Sequence, residues 1–370
     1  DGFIQVYAHY LIETSAVVFG FAEHYRYTRD DDWVRQILPR LKKACDYLLQ
    51  WRRRNQRPEL RGRGYGMLDG AVADEKDPAP YFFNSGYACA GLRGAAEMLA
   101  RVEPETARAL AAEAAAFQRD IRAELAEAMA GSPVVPLQDG TWRPSAPPWA
   151  GHPGPLILFG APRTAYSHCA FPTQDSLVGP LWLLYQGVLA AEDPLIDILV
   201  HTHHEVMTAR NVAFCQQYYS RHDYAHLVRG EANAFLADYY HSLSSTDPEL
   251  YSFWEHFCQN EQGPYKTHEQ AWFLMQSRWM LYLERGETLH LLAGVPRAWL
   301  EDGKTIAFSG MKSHFGPVTL RVQSRLSQNR IEVDVACPQG ANRGLKDIRL
   351  RIPHPQRRRP VEVIGGVYDA

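Results

Sequence analysis

The residues best suited to chemistry in this sequence are carboxylates in two long, irregular segments that lie far apart in the chain. Residues 54–83 are too rich in glycine, proline and aspartate to form a helix. They hold four acids within nine residues, which are Asp69, Asp74, Glu75 and Asp77. Residues 244–266 place Glu255 directly after the aromatic residues Phe253 and Trp254. Neither group of acids follows the spacing of an amphipathic helix.

Two carboxylates that face each other across a pocket are suited to the cleavage of a glycosidic bond. One of them, in its protonated form, gives a proton to the leaving oxygen, and the other activates a water molecule or attacks the anomeric carbon. Trp254 would partly desolvate Glu255. The plainer interpretation of any single loop acid is that it is solvated or caps a helix. A shared position of the two loops in the fold is what favours the pair.

Aromatic and histidine side chains near the same loops are candidates for binding a sugar. Rings in loops often form a floor for the apolar C–H face of a sugar, although each of them is also a residue type that packs structurally. The candidates are Trp142, Trp149, Tyr219 and Trp254, with His222 and His268 as hydrogen-bonding groups. Glu269 is a further acid candidate, and an acid in the first turn of a helix also favours the helix dipole. His201 and His204 have the spacing of a metal pair, but no clear third ligand accompanies them, so no metal site is predicted.

The elements that must position these residues are helices up to about residue 286. Hydrophobic periodicity predicts helices at residues 3–27, 33–53, 84–102, 105–130, 174–191, 195–208, 222–228, 231–243 and 267–285. The long connections between them span residues 54–83, 131–173, 209–221 and 244–266. Short and long connections alternate, and in an up-and-down array alternate connections lie at the same end. All four long loops are therefore expected on one rim, and loops of such length are usually functional.

Residues 287–370 are predicted to form a separate β-rich domain. Short runs of residues with high β propensity, punctuated by Gly, Pro and Asn, occur at residues 288–292, 305–308, 318–323, 330–336 and 347–352. Several short strands of this kind predict a small β-sandwich. The sequence thus predicts two domains, residues 1–286 and 287–370.

Composition bears on partners and on the compartment. The 370 residues are 46% hydrophobic and 22% charged, as in ordinary globular proteins. The net charge of −3 gives no reason to expect a nucleic acid as partner. No apolar run reaches the ~18 residues of a membrane span, so no membrane partner is predicted. Six widely spaced cysteines without a CxxC pair are interpreted as buried free thiols, which favour a cytoplasmic location slightly over a periplasmic or secreted one.

Several segments resemble bacterial-type glycosidases built on an (α/α)6 toroid, of the α-L-rhamnosidase, trehalase and glucoamylase type. Gly66–Asp77 resembles their general-acid loop, and Phe253–Glu255 resembles the segment that supplies the general base. Thr267–His268 resembles the site of a sugar-binding histidine, and Leu289–Pro296 resembles the β-domain that closes such enzymes. The resemblance covers nearly the whole chain in architecture but only short segments in residues.

The resemblance implies a mainly α protein and an inverting hydrolase that needs no cofactor and acts on an oligosaccharide or glycoside. Glu255 is then the base, and Asp74, deepest in its loop, is preferred as the acid over Asp69; Glu269 is the other alternative. Carboxyl groups of an inverting pair lie ~6.5–9.5 Å apart. The predicted helices are fewer than a closed toroid contains, and the first begins near the start of the chain. An upstream segment or a partner chain is therefore expected to complete the toroid.

Two other functions fit the same pattern. A polysaccharide lyase or sugar epimerase on the same toroid would use Tyr219, His222 or His268 for proton abstraction, without a facing pair of acids. A carbohydrate-binding protein without activity would keep the aromatic floor and lose the acid pair.

Overall fold

The computed structural model describes residues 2–4, 12–71, 79–159, 179–206, 221–244, 246–247, 249–253 and 267–369. They belong to two compact units, Asp1–Phe273 and Leu274–Ala370. The first unit is mainly helical and the second contains most of the strands. This confirms the prediction of a mainly α protein with a β-rich C-terminal part. The predicted domain boundary after residue 286 stays a prediction.

The first unit begins with four long helices: α1 (Glu13–Thr28), α2 (Asp31–Arg54), α3 (Phe82–Leu99) and α4 (Pro104–Gly131). α3 packs against the other three and is buried along most of its length. α2 illustrates why these sequences form helices. The Asp30 carboxylate accepts a hydrogen bond of 2.8 Å from the Trp33 N–H and so caps the first turn. The periodic residues Leu41, Cys45 and Leu48 then form a buried stripe at helical spacing, whereas Trp33 and Ile37, at the same spacing nearer the start of the helix, are half-buried.

The helices α1 and α3 approach each other closely at two glycines of α3. A Cβ atom on Gly94 would lie 2.3 Å from the Cβ of Ala22. A Cβ atom on Gly91 would lie 3.3 Å from the carbonyl oxygen of Ser15. Glycine in the middle of a helix is unfavourable by itself, so its presence here is explained by the close contact of the two helices.

Gly94→Ala is expected to lower the free energy of unfolding by about 1–3 kcal/mol, because the added methyl group must push α1 away from α3. The measurement is urea unfolding of the full chain. Gly20→Ala on α1 is the matched control, since its added Cβ would meet no atom within 4 Å. That control is expected to gain up to about 1 kcal/mol from helix propensity. Similar effects of both substitutions would contradict the packing argument.

The remaining described residues of the first unit form one hairpin and shorter helices. Strands β1 (Val134–Pro136) and β2 (Trp142–Pro144) pair antiparallel within the second long loop, a hairpin that was not predicted. The helices are α5 (Leu156–Phe159), α6 (Trp182–Tyr185), α7 (Pro194–Val206), α8 (His222–Val228), α9 (Ala232–Ser244) and α10 (Thr267–Leu281), which continues into the second unit.

Three predicted helices are wrong in part. The first begins at Glu13 and not near residue 3, because the backbone N–H and C=O of Ile4 instead bond the Thr14 hydroxyl at 2.9 and 3.0 Å. Of the helix predicted at residues 174–191, the described residues contain only the single turn α6, since the backbone turns at Gly187 with φ +66°. The last helix ends at Leu281, because the next four residues pair as a strand.

The second unit contains two three-stranded sheets. In one, β4 (Thr288–Leu291) lies between β3 (Tyr282–Arg285), which is antiparallel to it, and β8 (Asp347–Leu350), which is parallel. In the other, β6 (Gly316–Arg325) lies between β5 (Thr305–Ser313) and β7 (Arg330–Ala336), both antiparallel. Alternate residues of β6, including Val318, Leu320 and Val322, are buried, as the period of a strand requires.

Two of the cysteines bear out the prediction of buried free thiols. Burial raises the pKa of Cys45 to about 12 and that of Cys89 to about 11. Cys337 is a half-buried free thiol. Cys169, Cys215 and Cys258 lie outside the described residues.

Among the described helices, none combines the length and the apolar character that crossing a membrane requires.

Candidate functional site

The structure describes part of the predicted site. Asp69, Trp142, Trp149, His222 and Glu269 are among the described residues. Asp74, Glu75, Asp77, Tyr219, Trp254, Glu255 and the side chain of His268 lie outside them. The roles of this second group stay predictions.

Residues at or after the ends of the four long loops meet at the indole ring of Trp182, which itself comes after the second loop. The ring centroid of Trp182 lies 4.8 Å from that of Phe83, the last residue of the first loop. It lies 6.1 Å from that of Trp272, which follows the fourth. The guanidinium carbon of Arg221, at the end of the third loop, lies 5.3 Å from the Trp182 centroid and 3.9 Å from the Trp272 centroid. Described residues at or after the ends of the four loops therefore converge on one ring, while the shared rim of the loops stays a prediction.

Tyrosine rings extend this aromatic cluster. Tyr87 of α3 lies 5.8 Å from Trp182, and Tyr185 lies 5.9 Å from Trp272 and 5.5 Å from Tyr224, between ring centroids. Burial raises the pKa of Tyr87 and Tyr185 above the ordinary value for tyrosine. Both hydroxyls therefore stay protonated at neutral pH and remain hydrogen-bond donors.

The first long loop holds Asp69 against α2. Its Oδ1 atom accepts hydrogen bonds from Trp51 Nε1 at 2.9 Å and from Asn55 Nδ2 at 2.5 Å. Partial burial opposes the charged form, but these two hydrogen bonds outweigh it and lower the pKa of Asp69 below its ordinary value. Asp69 therefore stays ionised at neutral pH, whereas a general acid must hold a proton there.

The residues that flank the acidic segment of this loop are paired with each other. The Gly70 N–H, just before residues 71–78, donates to the carbonyl oxygen of Ala79, just after them, at 3.1 Å. The next residue pair joins the first loop to the second, since the Ala150 N–H donates to the Pro80 carbonyl oxygen at 3.2 Å. The first two loops therefore lie side by side.

The two predicted tryptophans of the second loop differ in their surroundings. Trp149 is half-buried and packs between the loops, with its ring centroid 5.0 Å from that of Tyr81 and 4.6 Å from that of His152. Trp142 lies on β2 of the hairpin and is 67% exposed. Trp149 thus has a packing role in the described structure, whereas the face of Trp142 is open to solvent.

Near the end of the third loop, the structure buries four ionisable side chains together. Arg221, His222, Asp223 and Asp238 are each no more than 1% exposed. The Nε2 atom of His222 lies 3.1 Å from Oδ1 of Asp238, and Nη1 of Arg221 lies 3.8 Å from Oδ2 of Asp223. Buried charges are costly even when they are paired, so a cluster of this kind is a candidate for function. The backbone of Arg221 is also left-handed, with φ +59°, a strained conformation for a residue with a side chain.

The imidazoles in this cluster hold their protons differently. Burial lowers the pKa of His222, but the adjacent Asp238 carboxylate outweighs burial and raises it. The ring of His203 is stacked on that of His222 at a centroid distance of 4.9 Å. Burial, together with the neighbouring histidines, lowers the pKa of His203 well below its ordinary value. His222 therefore binds a proton more readily than His203 does.

Glu269 is fully buried in the first turn of α10.

Within the described ranges, no group of three or more His, Cys, Asp or Glu side chains has a geometry suited to a metal ion. His201, one of the pair with metal-like spacing, instead lies 3.6 Å from the Asp197 carboxylate.

Sequence reasoning missed Trp182, Trp272 and Asp238. All three lie in helices, where a tryptophan or a lone acid resembles an ordinary core or surface residue. The one signal that pointed to the tryptophans was their position shortly after long loops. Asp238 had no such signal, since only the fold brings α9 against His222.

No known family model matches this chain, and no curated protein matches it. Among solved structures, the chain is similar to the crystal structure of a GH78 family rhamnosidase of Bacillus sp. GL1, with a TM-score of 0.53 and 13% sequence identity. The match covers 91% of this chain and 33% of the rhamnosidase chain, so this chain spans about a third of that protein. In its fold, this chain is similar to a glycoside hydrolase.

Proposed function

We propose that this protein is a glycoside hydrolase that cleaves an O-glycosidic bond with inversion of configuration. Asp74 protonates the leaving oxygen, and Glu255 removes a proton from the attacking water. The observation that carries the proposal is the convergence at Trp182 of residues at or after the ends of all four long loops. Because the first and fourth of these loops contain Asp74 and Glu255, that convergence favours two acids facing one sugar. The similarity in fold to a rhamnosidase supports the same reaction class.

The architecture proposed for the whole protein is an (α/α)6 toroid closed by a β-sandwich. The four long helices, the alternation of short and long connections and the two small sheets support it. Since this chain spans about a third of the similar rhamnosidase, an upstream segment or a partner chain is proposed to complete the toroid.

The other candidates take supporting roles in this proposal. Asp69, whose pKa is lowered, is a binding or positioning carboxylate and leaves the role of acid to Asp74. Glu269 lies fully buried at the start of α10, close in sequence to Trp272 and His268, and remains the alternative base. Trp254, Tyr219, Trp142 and Trp149 are proposed as sugar-stacking or pocket-shaping rings, and His222 and His268 as hydroxyl-binding groups. The proposed mechanism uses no cofactor.

The lyase or epimerase alternative needs a neutral base. His222 does not fit this need well, because Asp238 raises its pKa and so favours the protonated imidazole.

The alternative of a carbohydrate-binding protein without activity differs from the proposal in one outcome, since it predicts binding without turnover. The assay below separates the hydrolase from both alternatives.

The experiment is an activity assay of the full chain, and of a chain extended upstream, on a panel of aryl glycosides. The first probe is p-nitrophenyl α-L-rhamnopyranoside, chosen for the similarity in fold to a rhamnosidase. Release of nitrophenol is expected, and proton NMR of the first product should show the anomer opposite to that of the substrate. Release with retention would reject the inverting mechanism. Sugar binding without hydrolysis of any glycoside in the panel would reject the hydrolase and leave the two alternatives.

A further inference from the structure

A buried carboxylate outside the predicted site holds the loop that carries the acid. Glu124 lies on α4, is 4% exposed and points into the first long loop. Its Oε1 atom accepts the Gly62 N–H at 3.0 Å, and its Oε2 atom accepts the Gly64 N–H at 2.7 Å. Two amides of one short turn thus converge on one side chain. Burial raises the pKa of Glu124 above its ordinary value, and the hydrogen bonds from these amides partly oppose that rise.

The backbone of this turn is shaped to enclose an anion. Gly62 and Gly64 have φ values of +74° and +106°, a region that side chains other than glycine rarely adopt. Such conformations turn successive N–H groups toward one point, which makes a concave site for a negative group. Here the protein's own Glu124 occupies that site. The glycines are also packed, since a Cβ on Gly64 would lie 2.5 Å from Pro80.

Further hydrogen bonds hold the part of the loop between Gly64 and the predicted acids. The buried Arg52 donates to the Gly66 carbonyl oxygen at 3.1 Å and to Asp120 of α4 at 2.6 Å. Asn55 donates to the Met67 carbonyl oxygen at 2.7 Å and to Asp69. The next pair of bonded residues, Gly70 and Ala79, is where the segment containing Asp74 begins and ends.

We infer that Glu124 is a positioning residue for the general acid: by binding the amides of Gly62 and Gly64, it fixes the part of the first loop from which the acidic segment continues. The inference rests on the proposed function, because it takes the acid to lie in that segment. Glu124 does not touch the substrate, and it acts through the loop. The neutral amide of glutamine cannot replace it, since its NH₂ group would face a backbone N–H and repel one of the two amides.

A charge-neutral substitution should therefore impair proton donation more than it impairs the rest of the reaction. Phenyl α-L-rhamnopyranoside needs a proton on its leaving oxygen, whereas the 2,4-dinitrophenyl glycoside has a leaving group that departs without one. A displacement of about 1 Å at a reacting group costs about 10²-fold in rate. Glu124→Gln is expected to lower kcat/KM by about 10²-fold for the phenyl glycoside and by less than about 3-fold for the dinitrophenyl glycoside, with similar KM values.

The experiment compares full-length wild type, Glu124→Gln, Glu124→Ala and Glu113→Gln on these two rhamnosides, or on the same aryl pair of the sugar that the panel identifies. Glu113 is the matched control, because it lies on the same helix as Glu124 but contacts α2. Its Oε1 atom forms an ion pair with Nη2 of Arg53, a residue of α2, at 3.3 Å. Its substitution should leave both rates unchanged. Amide hydrogen exchange of the peptide spanning residues 61–71 should speed up in Glu124→Gln and not in Glu113→Gln.

The outcomes separate this inference from the function on which it rests. Equal losses on both substrates in Glu124→Gln, or no loss on either, overturn the positioning role while leaving the hydrolase intact. Inactivity of both the full chain and the chain extended upstream overturns the proposed function and the inference together. If Glu124→Ala does not fold, Glu124→Gln, which keeps the shape of the side chain, still decides the question.

Discussion

Glu255→Gln is expected to lower kcat for the hydrolysed aryl glycoside by about 10²–10⁴-fold, the range that a general base contributes. KM should change little, because the amide keeps the size of the side chain and loses only the ability to take a proton from water. The measurement is steady-state release of nitrophenol by the full chain. Azide attacks without giving up a proton, so added azide should restore part of the lost rate and yield a glycosyl azide.

The control for this substitution lies in the same loop. Glu249→Gln changes an exposed acid of the fourth loop and should leave kcat within experimental error. Glu269→Gln tests the alternative base directly. A loss confined to Glu269→Gln would transfer the role to the buried acid of α10. Unchanged activity in Glu255→Gln would end the present assignment.

Asp74→Asn and Asp69→Asn are expected to differ sharply, although the two acids lie in one loop. Asp74→Asn should lower kcat/KM on the phenyl glycoside by about 10²–10⁴-fold and remove the alkaline limb of the pH–rate profile, because the proton donor is lost. Asp69→Asn should lower it by less than about 10-fold, since Asp69 is already ionised at neutral pH. The reverse order would make Asp69 the acid.

The pH dependence of folding stability gives a second test of the ionisation of Asp69. The pKa of Asp69 in the folded protein lies below the ordinary value for an aspartate. A lowered pKa stabilises the folded state at pH values above the unfolded pKa, and this stabilisation is lost as the pH falls through the folded pKa. Wild type should therefore be more stable than Asp69→Asn at pH 7, and the difference should shrink below about pH 4. Thermal unfolding at several pH values measures it.

Periodic helices were predictable from sequence because their burial is one-sided. The stripe of Leu41, Cys45 and Leu48 indicated α2, and the strand at residues 330–336 and the short helix at residues 222–228 were predicted at their observed bounds. Residues 282–285 continue the helical pattern but pair with β4 in the fold. Such a tertiary preference leaves no mark in local periodicity.

The candidate site was predictable only where loops carried it. The alternation of loop lengths predicts a shared rim, which stays a prediction, and it did not point to the contacts of Trp182 with Phe83, Trp272 and Arg221. Glu124 was invisible to sequence reasoning, because an acid in the alanine-rich α4 resembles a solvated surface residue. Its burial depends on a turn of the chain that lies sixty residues away from it.

The hydrogen bond between Gly70 and Ala79 has a consequence for how this protein can diversify. Because the eight residues between them start and finish at one point, their number and composition can change without moving the flanking chain. The entropy of closing a longer loop rises only slowly with its length, by about 0.6 kcal/mol per doubling. The segment that carries the predicted acid can thus be replaced as a unit, in evolution or by design, while the conformation of the flanking residues stays the same.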